Sequence, residues 1–379
     1  MTEMTPPPFI TDAEREERLS RLRAAMEAVG VSGLLLGSSE SLRYFTGLVW
    51  HGSERLLGAL VTADALTYVV PAFEESRVDT LPHLPGAIAI WQEEESPAAL
   101  VATLLGGAGK LALDEALPLF LYHALAAALG PERLVDGGPL IGPLRAVKSQ
   151  AEIAIIRYAM GLTLEVHRRA HAMLAPGIRA SEVVRFIDAE HRRLAGRGST
   201  FCIVSFGAAT ALPHGADGDQ VLAKGDAILV DTGTRIDGYH SDLTRSYMLD
   251  EPDAAYAAAW AVERAAQQAV FEAAQLGSPC HALDDAARAV LVRNGLGPDY
   301  RLPGLPHRAG HGLGLEIHEA PYIVRGNRTP LAPGHCFSNE PMLVYPGRFG
   351  IRLEDHITMA EDGAHWFTLP SNSPTEPFA

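Results

Sequence analysis

Short apolar runs alternate with helical patterns in the first part of the chain. Between residues 13 and 29, leucine, methionine and valine recur on one helical face, and Gly30 follows as a C-cap. Strands are predicted at 33–36, 56–61, 66–70 and 110–114, and further helices at 97–105 and 117–129. This alternation predicts a small α/β domain.

The pattern changes near residue 145. Gly137–Pro143 is predicted to be a Gly/Pro-rich connection, and Ser149 and Glu152 have the spacing of a capping box before a long amphipathic helix. The elements predicted after it are the helix to 174, a helix from 181, strands up to 250, helices over 254–276 and 282–294, and a β-rich end. We therefore predict two domains, residues 1–145 and residues 146–379.

Composition and charge narrow the class of protein. The chain has 379 residues, of which 47% are hydrophobic, as expected for about two globular domains. Acidic residues outnumber basic ones 46 to 31, and a net charge of −15 disfavours nucleic acid and anionic membranes as partners. The sequence contains no membrane-length apolar run and no apolar signal segment, and its 3 scattered cysteines suggest no disulfide framework. We expect a cytoplasmic protein.

Two aspartates are predicted to converge on one face of a hairpin. Asp237-Gly238 is a strong two-residue turn signal. Asp242 and Gly233 are equally distant from that turn, so they should be paired, with Asp231 diagonal to Asp242 on the same face. Two such carboxylates repel each other unless positive charge lies between them.

Three histidines lie close together in the later part of the chain, namely His307, His311 and His318. This density is typical of metal or acid–base sites, but a polar loop with incidental histidines explains the spacing equally well. The nearby glycines do not form GxGxxG and there is no HExxH, so a dinucleotide site and a zincin helix are both disfavoured. His214, between Pro213 and Gly215, is a lone loop histidine.

A second predicted hairpin brings two glutamates together. Pro346-Gly347 is a turn signal, and Glu340 and Glu354 are equally distant from Gly347. Exposed sheet glutamates are the commoner case, but both of these residues have apolar strand neighbours. The two aspartates and two glutamates together would bring about −4 to one site, which two divalent cations would cancel. Oxygen donors with one imidazole suit Mn²⁺, Fe²⁺, Co²⁺ or Zn²⁺, and two such ions about 3.5–4 Å apart would activate a water.

These residues resemble a known family. The order Asp231, Asp242, His311, Glu340, Glu354 resembles the five-ligand dinuclear site of the metallopeptidases with the pita-bread fold, which include methionine aminopeptidase, aminopeptidase P and prolidase. The other histidines, the two-domain layout and the segment from Arg145 to Ile153 resemble the prolidase and aminopeptidase P branch. The resemblance implies a non-catalytic α/β N-terminal domain, serving substrate restriction or oligomerisation, and an α+β pita-bread catalytic domain.

The resemblance also implies residue roles. Asp231 and His311 would each bind one of two ions (Mn²⁺, or else Zn²⁺ or Co²⁺), Asp242 and Glu354 would bridge them, and Glu340 would be both ligand and general base. His318 would stabilise the oxyanion, His214 would contact the substrate, and His307 would help to position it. Arg352 would contact a ligand carboxylate, and Phe201 and Tyr322 would lie on the substrate side of the site. A homodimer is implied as well.

The expected substrate is a short proline-containing peptide. An Xaa-Pro bond lacks the N–H that general peptidases use, whereas a dinuclear site needs only the carbonyl. We therefore expect an Xaa-Pro dipeptidase. The alternatives are an Xaa-Pro aminopeptidase, a creatinase-like C–N hydrolase or lyase, and a non-catalytic binding module. Some prolidases have a carboxylate-binding arginine where this chain has Tyr322, and Arg325 or a partner residue is expected to replace it.

Overall fold

The structure is a computed structural model that describes residues 5–378. The chain divides into two compact units, one formed by residues 10–145 and the other by the remaining described residues. The helices up to the boundary are α1 (Asp12–Ala28), α2 (Glu40–Thr46), α3 (Glu75–Asp79), α4 (Pro97–Leu105), α5 (Leu119–Leu129) and α6 (Gly138–Ala146). The strands are β1 (Val31–Leu36), β2 (Gly58–Thr62), β3 (Leu66–Pro71), β4 (Ala87–Trp91), β5 (Lys110–Leu113) and β6 (Leu134–Asp136).

One mixed sheet organises the first unit. Its strand order is β4-β3-β2-β1-β5-β6, with β2 antiparallel to both β1 and β3 and the remaining pairs parallel. Apolar side chains of the sheet, such as Leu35 and Leu60, pack against those of α4 and α5, such as Val101 and Leu125. The predicted α/β character of this part is confirmed, although β4, β6, α2 and α3 were not predicted.

The prediction of a Gly/Pro-rich connection at Gly137–Pro143 is wrong, because this segment forms most of α6. Leu140 and Ile141 are 7% and 1% exposed, so tertiary packing stabilises the helix. Burial of such side chains is worth about 1.5–3 kcal/mol each, which offsets the roughly 3 kcal/mol cost of Pro143 inside the helix.

The second unit contains four longer helices and short antiparallel strands. The helices are α7 (Gln150–Met173), α8 (Ala180–Ala195), α9 (Ala254–Ala273) and α10 (Cys280–Arg293). The strands are β7 (Phe201–Phe206), β8 (Ile228–Gly233), β9 (Arg235–Ile236), β10 (Tyr239–His240), β11 (Leu243–Tyr247), β12 (Gly310–Gly312), β13 (Glu319–Ile323), β14 (Cys336–Asn339), β15 (Met342–Tyr345), β16 (Phe349–Arg352), β17 (Asp355–Ala360) and β18 (Gly363–Trp366). The capping box predicted for Ser149 and Glu152 is confirmed, with both reciprocal hydrogen bonds present.

Helix pairs cover the sheets of this unit. The sheet β11-β8-β7 packs on α7 and α8, with Val166, Val183 and Val230 in their shared core. The sheet β13-β12-β14-β17-β18 and the hairpin β15-β16 share a core with α9 and α10. Separate helical and antiparallel layers of this kind define an α+β domain. Within the described range, none of the helices combines the length and the apolar character that crossing a membrane requires.

Both predicted hairpin registers are confirmed. Asp237 and Gly238 have φ values of 44° and 85°, as a tight hairpin turn requires, and β8 and β11 continue the predicted pairing. At Gly233 the strands approach so closely that a Cβ would lie 1.9 Å from the carbonyl oxygen of Ser241, so only glycine fits there. In the second hairpin, Met342 pairs with Arg352 across the Gly347 turn.

Candidate metal centre and active site

One cavity of the second unit collects the carboxylates and histidines. Its volume is about 560 Å³, within the range of small-molecule sites. All of the site residues predicted from the sequence line it except Tyr322. The lining is formed by Phe201, Ile203, Pro213, His214, Asp231, Asp242, Pro306, His307, Arg308, His311, Ile317, His318, Glu340, Arg352 and Glu354.

The first hairpin supplies two buried aspartates, and the second brings a glutamate beside them. Asp231 lies in β8, where it pairs with Thr244 of β11, and Asp242 lies directly before β11. Glu354 follows β16, and its backbone forms an isolated antiparallel β-bridge with Thr244. The three acids are 2–6% exposed. Asp231 Oδ1 and Glu354 Oε1 are buried without a hydrogen-bond partner among the described residues, so each has a lone pair available to a cation.

The proximity of these acids changes their protonation. Burial, followed by the charges of neighbouring carboxylates, raises the pKa of Asp242 and of Glu354 well above their ordinary values. Burial also raises the pKa of Asp231, while Arg352 opposes that shift. Without a cation the cluster therefore favours bound protons, and a divalent ion is the natural competitor for them.

Arg352 stabilises the cluster from the cavity wall. Its guanidinium donates to Asp231 Oδ2, and its Nε donates to the Thr244 hydroxyl at 3.1 Å. Thr244 in turn donates to Glu354 Oε2 at 2.6 Å. Burial would lower the pKa of Arg352, but the surrounding carboxylates raise it, so the residue keeps its charge. One arginine therefore orients two acids and adds one positive charge beside the carboxylate cluster.

His311 directs a ring nitrogen at the acids. Its Nδ1 lies 3.0 Å from the carbonyl oxygen of Gly312, to which it donates when Nε2 is unprotonated. Nε2 lies 3.0 Å from Glu340 Oε1 and 3.8 Å from Asp242 Oδ2. Two ligand atoms that share an ion at about 2.1 Å are separated by about 3.0–3.4 Å, so the first distance suits joint coordination.

Ser338 fixes Glu340 relative to His311. The Ser338 hydroxyl accepts from the backbone N–H of His311 at 2.8 Å and donates to Glu340 Oε1 at 3.1 Å. Burial would raise the pKa of Glu340, but the neighbouring His311 outweighs it and the net shift is downward. Glu340 is thus the acid of the cluster best able to remain ionised.

His356 belongs to the same cluster but was not predicted from the sequence. This residue of β17 is 0% exposed, and neither ring nitrogen forms a hydrogen bond within ordinary limits to a described residue. Its ligand atom lies within 4.8 Å of those of Asp242 and Glu354. Burial, followed by the charge of His311, lowers the pKa of His356 to about 3, so the ring is neutral. The available signal was its spacing of two residues from Glu354, because residues at this spacing point to the same side of an extended chain.

The other predicted histidines surround the cluster. The rings of His318 and His311 have centroids 4.0 Å apart. Burial, followed by the His311 charge, lowers the pKa of His318 to about 4. Burial also lowers the pKa of His307, whose Nδ1 lies 2.6 Å from the Arg308 carbonyl oxygen. His214 reaches the same cavity from the loop after β7.

A buried ion pair anchors the strand next to His318. Glu319 Oε1 lies 2.7 Å from Lys148 Nζ, and the two side chains are 8% and 1% exposed. Lys148 belongs to the segment that opens the second unit, just before α7. The pair therefore connects that segment to the start of β13 and limits the movement of His318.

Arg325, which was expected to replace a carboxylate-binding arginine, lies outside the cavity lining. Arg325 forms an ion pair with Asp299 at 2.6 Å, is 46% exposed, and does not line the cavity. Tyr322 does not line it either. Instead, the guanidinium of Arg308 lies 4.5 Å from the centroid of the Tyr322 ring, and Arg308 does line the cavity.

The donor set fits divalent metal ions. It combines four carboxylates with at least one imidazole nitrogen, and several of these atoms are buried without a hydrogen-bond partner in the part of the chain that the structure describes. Such oxygen and nitrogen donors suit Mn²⁺, Co²⁺, Fe²⁺ or Zn²⁺. Four carboxylates and a histidine on the wall of a cavity of this size are typical of metal-dependent hydrolases.

Comparison with known proteins identifies the family within that class. The chain belongs to metallopeptidase family M24, whose model matches residues 154–361, and residues 18–147 match the creatinase/prolidase N-terminal domain. The resemblance and the fold class predicted from the sequence are therefore confirmed. The protein is a peptidase of a metal-dependent family.

Similar proteins are named dipeptidases. A probable dipeptidase PepE of Mycobacterium bovis is 37% identical over 366 residues, covering 93% of this chain and 94% of the relative. The crystal structure of dipeptidase PepE from Mycobacterium ulcerans has a TM-score of 0.90 at 33% identity, covering 98% and 99% of the two chains. An Xaa-Pro dipeptidase structure from Bacillus anthracis has a TM-score of 0.83 at 27% identity, covering 96% and 99%.

Proposed function

We propose that this peptidase uses two divalent ions to hydrolyse the bond before proline in short peptides, as an Xaa-Pro dipeptidase. The observation that carries the proposal is the set of four acids and His311 on the wall of a cavity of about 560 Å³. The name of the similar Bacillus anthracis protein, an Xaa-Pro dipeptidase, agrees with this substrate class.

The proposed ligands are the five residues predicted from the sequence, Asp231, Asp242, His311, Glu340 and Glu354. The first hairpin supplies two of them and the second hairpin supplies the glutamates, while His356 lies within the same cluster. The ions are proposed to be Mn²⁺, with Zn²⁺ or Co²⁺ as alternatives that the same donors accept. When bound, such ions supply Lewis acidity, which polarises a peptide carbonyl and makes a water more acidic.

The chain's own groups would then move and stabilise charge. Glu340 would accept the proton of the attacking water, since it keeps its negative charge and its side chain is 13% exposed at the cavity wall. His318, neutral near pH 7, would donate to the oxygen that gains negative charge in the transition state. His307 and His214, which both line the cavity, would position the substrate.

The apolar part of the cavity supports proline recognition. Phe201, Ile203 and Ile317 line it together with Pro213 and Pro306. A pyrrolidine ring suits such a surface, and its missing N–H needs no acceptor in the wall. An ordinary peptide bond would present an N–H to these side chains, which cannot accept a hydrogen bond.

Steady-state kinetics on three peptides would test the proposal. We expect the Mn²⁺-loaded protein to cleave Ala-Pro faster than Ala-Pro-Ala and much faster than Ala-Leu, with all activity lost in chelator and restored by metal. Comparable rates on Ala-Pro-Ala would support the alternative of an Xaa-Pro aminopeptidase. If the loaded protein leaves every Xaa-Pro peptide intact, the proposal is wrong, and a C–N hydrolase, a lyase or a binding module on this fold would have to be tested instead.

We also propose that the N-terminal domain, residues 1–145, restricts substrate access or supports a homodimer, and that residues 146–379 carry catalysis. Every lining residue of the cavity lies in the second range. On α5 of the first, Leu119 and Phe120 are 68% and 48% exposed, and exposed apolar side chains of this kind favour a subunit contact. Light scattering of the wild type and of Leu119→Ser/Phe120→Ser would test the dimer.

A further inference from the structure

Two arginines line the cavity, and their environments differ. Arg352 is engaged with Asp231 and Thr244. The guanidinium of Arg308 forms no hydrogen bond and no ion pair with any side chain or carbonyl in the described range 5–378. Arg308 is also half-buried, so its charge has lost part of its hydration without gaining an anionic partner. A cation in this condition at a cavity wall is suited to an anionic ligand.

Tyr322 holds Arg308 in place without neutralising it. The guanidinium carbon lies 4.5 Å from the centroid of the Tyr322 ring, within cation–π range. The backbone supports this arrangement, because Gly310 pairs with Ile323 and the N–H of Ala309 donates to the Ile323 carbonyl at 3.1 Å. Arg308 and Tyr322 thus extend from adjacent strand ends. Stacking leaves the edge of the guanidinium, with its forked N–H groups, available to a carboxylate.

Arg308 is close to the proposed reaction centre. It follows His307 directly in the chain, and its positive charge contributes to the lowered pKa of His318. An anionic group on Arg308 would therefore lie beside the histidines that surround the carboxylate cluster. In a dipeptide, the free carboxylate is one residue from the scissile bond, whereas a tripeptide moves it away by about another 3.3–3.6 Å.

We infer that Arg308, stacked on Tyr322, binds the C-terminal carboxylate of the substrate and makes the enzyme select dipeptides. This inference rests on the proposed function and names the group that recognises the free end of the peptide. It assigns the carboxylate-binding role to Arg308, whereas the sequence suggested Arg325 or a residue of a partner subunit. Arg308 is then a specificity residue that touches substrate, and Tyr322 is a positioning residue.

The experiment compares Ala-Pro with Ala-Pro-amide, which lacks the carboxylate, in the Mn²⁺-loaded wild type and in Arg308→Met. We expect the wild type to prefer Ala-Pro, and Arg308→Met to lose about 10- to 100-fold in kcat/KM on Ala-Pro, mainly through KM, with little change on the amide. Arg308→Lys should retain part of the preference. Arg325→Met, which removes an exposed arginine outside the cavity lining, is the matched control and should behave like the wild type.

Binding gives a readout that needs no turnover. Proline, the expected product with a free carboxylate, should raise the Tm of the wild type more than prolinamide does, and Arg308→Met should abolish the difference. Equal losses on both substrates, or an unchanged preference for Ala-Pro, would overturn the inference. Metal content by elemental analysis shows whether Arg308→Met has disturbed the ions instead.

Failure of the proposed function would be recognised separately. If the wild type cleaves Ala-Leu but no Xaa-Pro peptide, the proline assignment falls, and Ala-Leu against Ala-Leu-amide tests Arg308 by the same comparison. If no peptide is cleaved, the function is wrong, and the Tm comparison of proline with prolinamide still decides whether Arg308 binds a carboxylate.

Discussion

Arg352 and Asp231 form an ion pair whose side chains are 5% and 9% exposed. The same guanidinium reaches Glu354 indirectly, because it donates to Thr244 and Thr244 donates to that glutamate. Two of the proposed ligands, which come from different hairpins, are therefore oriented by one side chain. Groups that orient ligands in this way influence metal affinity without touching the ion.

Replacing Arg352 should weaken metal binding. We expect Arg352→Met to lower the affinity for Mn²⁺ by about 10- to 100-fold, because Asp231 and Thr244 lose the donor that fixes them. Isothermal titration calorimetry measures the change. Arg352→Lys, which keeps the charge but not the fork, should lose less. A rise in affinity in Arg352→Met would mean that the arginine only competes with the ions for negative charge.

Asp242→Asn should separate metal binding from folding. Asp242 is 4% exposed and lies next to Glu354, His356 and the ring of His311, so its loss removes a shared carboxylate from the centre of the cluster. Elemental analysis should show reduced metal and assays no turnover, with unchanged far-ultraviolet circular dichroism. Asp362→Asn, a change at an exposed acid paired with His365, is the control. Full metal content in Asp242→Asn would exclude Asp242 as a ligand.

In the metal-free protein, the contribution of Asp242 and Glu354 to stability should fall as pH rises. Folding raises the pKa of Asp242 and Glu354 above the ordinary values of 3.8 and 4.5, so between those values and the raised ones the native state holds protons that the unfolded chain has released. Their contribution to stability is complete below the ordinary values and is lost as pH increases through the raised ones. Bound ions replace these protons. The difference in Tm between Mn²⁺-loaded and chelated protein should therefore widen from pH 5 to pH 8, and less so in Asp242→Asn. A Tm difference that stays constant with pH would contradict the raised pKa values of Asp242 and Glu354.

His318→Ala should impair chemistry without releasing metal. If the neutral ring donates to the developing oxyanion, its loss should lower kcat by about 10²–10³-fold while KM changes little. Elemental analysis should find the same metal content as in the wild type. Loss of metal in this variant would instead place His318 among the ligands. His365→Ala, at a half-exposed histidine in β18, provides the comparison.

Replacing His356 tests whether this residue is a metal ligand or a buried ring that only fills space. We expect His356→Leu, of similar size, to lower the affinity for one of the ions by at least about tenfold. The neutral ring lies beside two acids, and neither of its nitrogens has a hydrogen-bond partner of ordinary geometry among residues 5–378. Spectroscopy of the Co²⁺-substituted protein should show a changed ligand field. Unchanged affinity and spectrum, with equal or greater stability, would mean that the ring only fills space.

The sequence was most informative where a turn defined the pairing on both sides. Asp237-Gly238 and Gly347 are local signals, and the antiparallel register beyond each of them follows from counting. For that reason the neighbourhood of Asp231 with Asp242, and that of Glu340 with Glu354, could be predicted without tertiary information. The order of these acids with His311 was also enough to indicate the family.

The features that were missed depend on contacts between distant segments. His356 lies two residues after Glu354, but its relation to Asp242 requires β17 and the first hairpin to meet. Arg308 is adjacent to a predicted histidine, yet nothing local shows that it stacks on Tyr322. In α6, packing of Leu140 and Ile141 outweighs the local preference of glycine and proline for a connection.

The pairing register of the first hairpin has a consequence for how this chain tolerates changes in length. A single inserted residue in the Asp237-Gly238 turn would shift the pairing and direct Asp231 or Asp242 to the opposite side of the ribbon. Insertions between residues 215 and 220, where the chain is partly exposed and outside the strands, would leave both hairpins intact. Related chains that keep this centre should therefore vary in length in such loops and keep the number of residues between the paired acids constant.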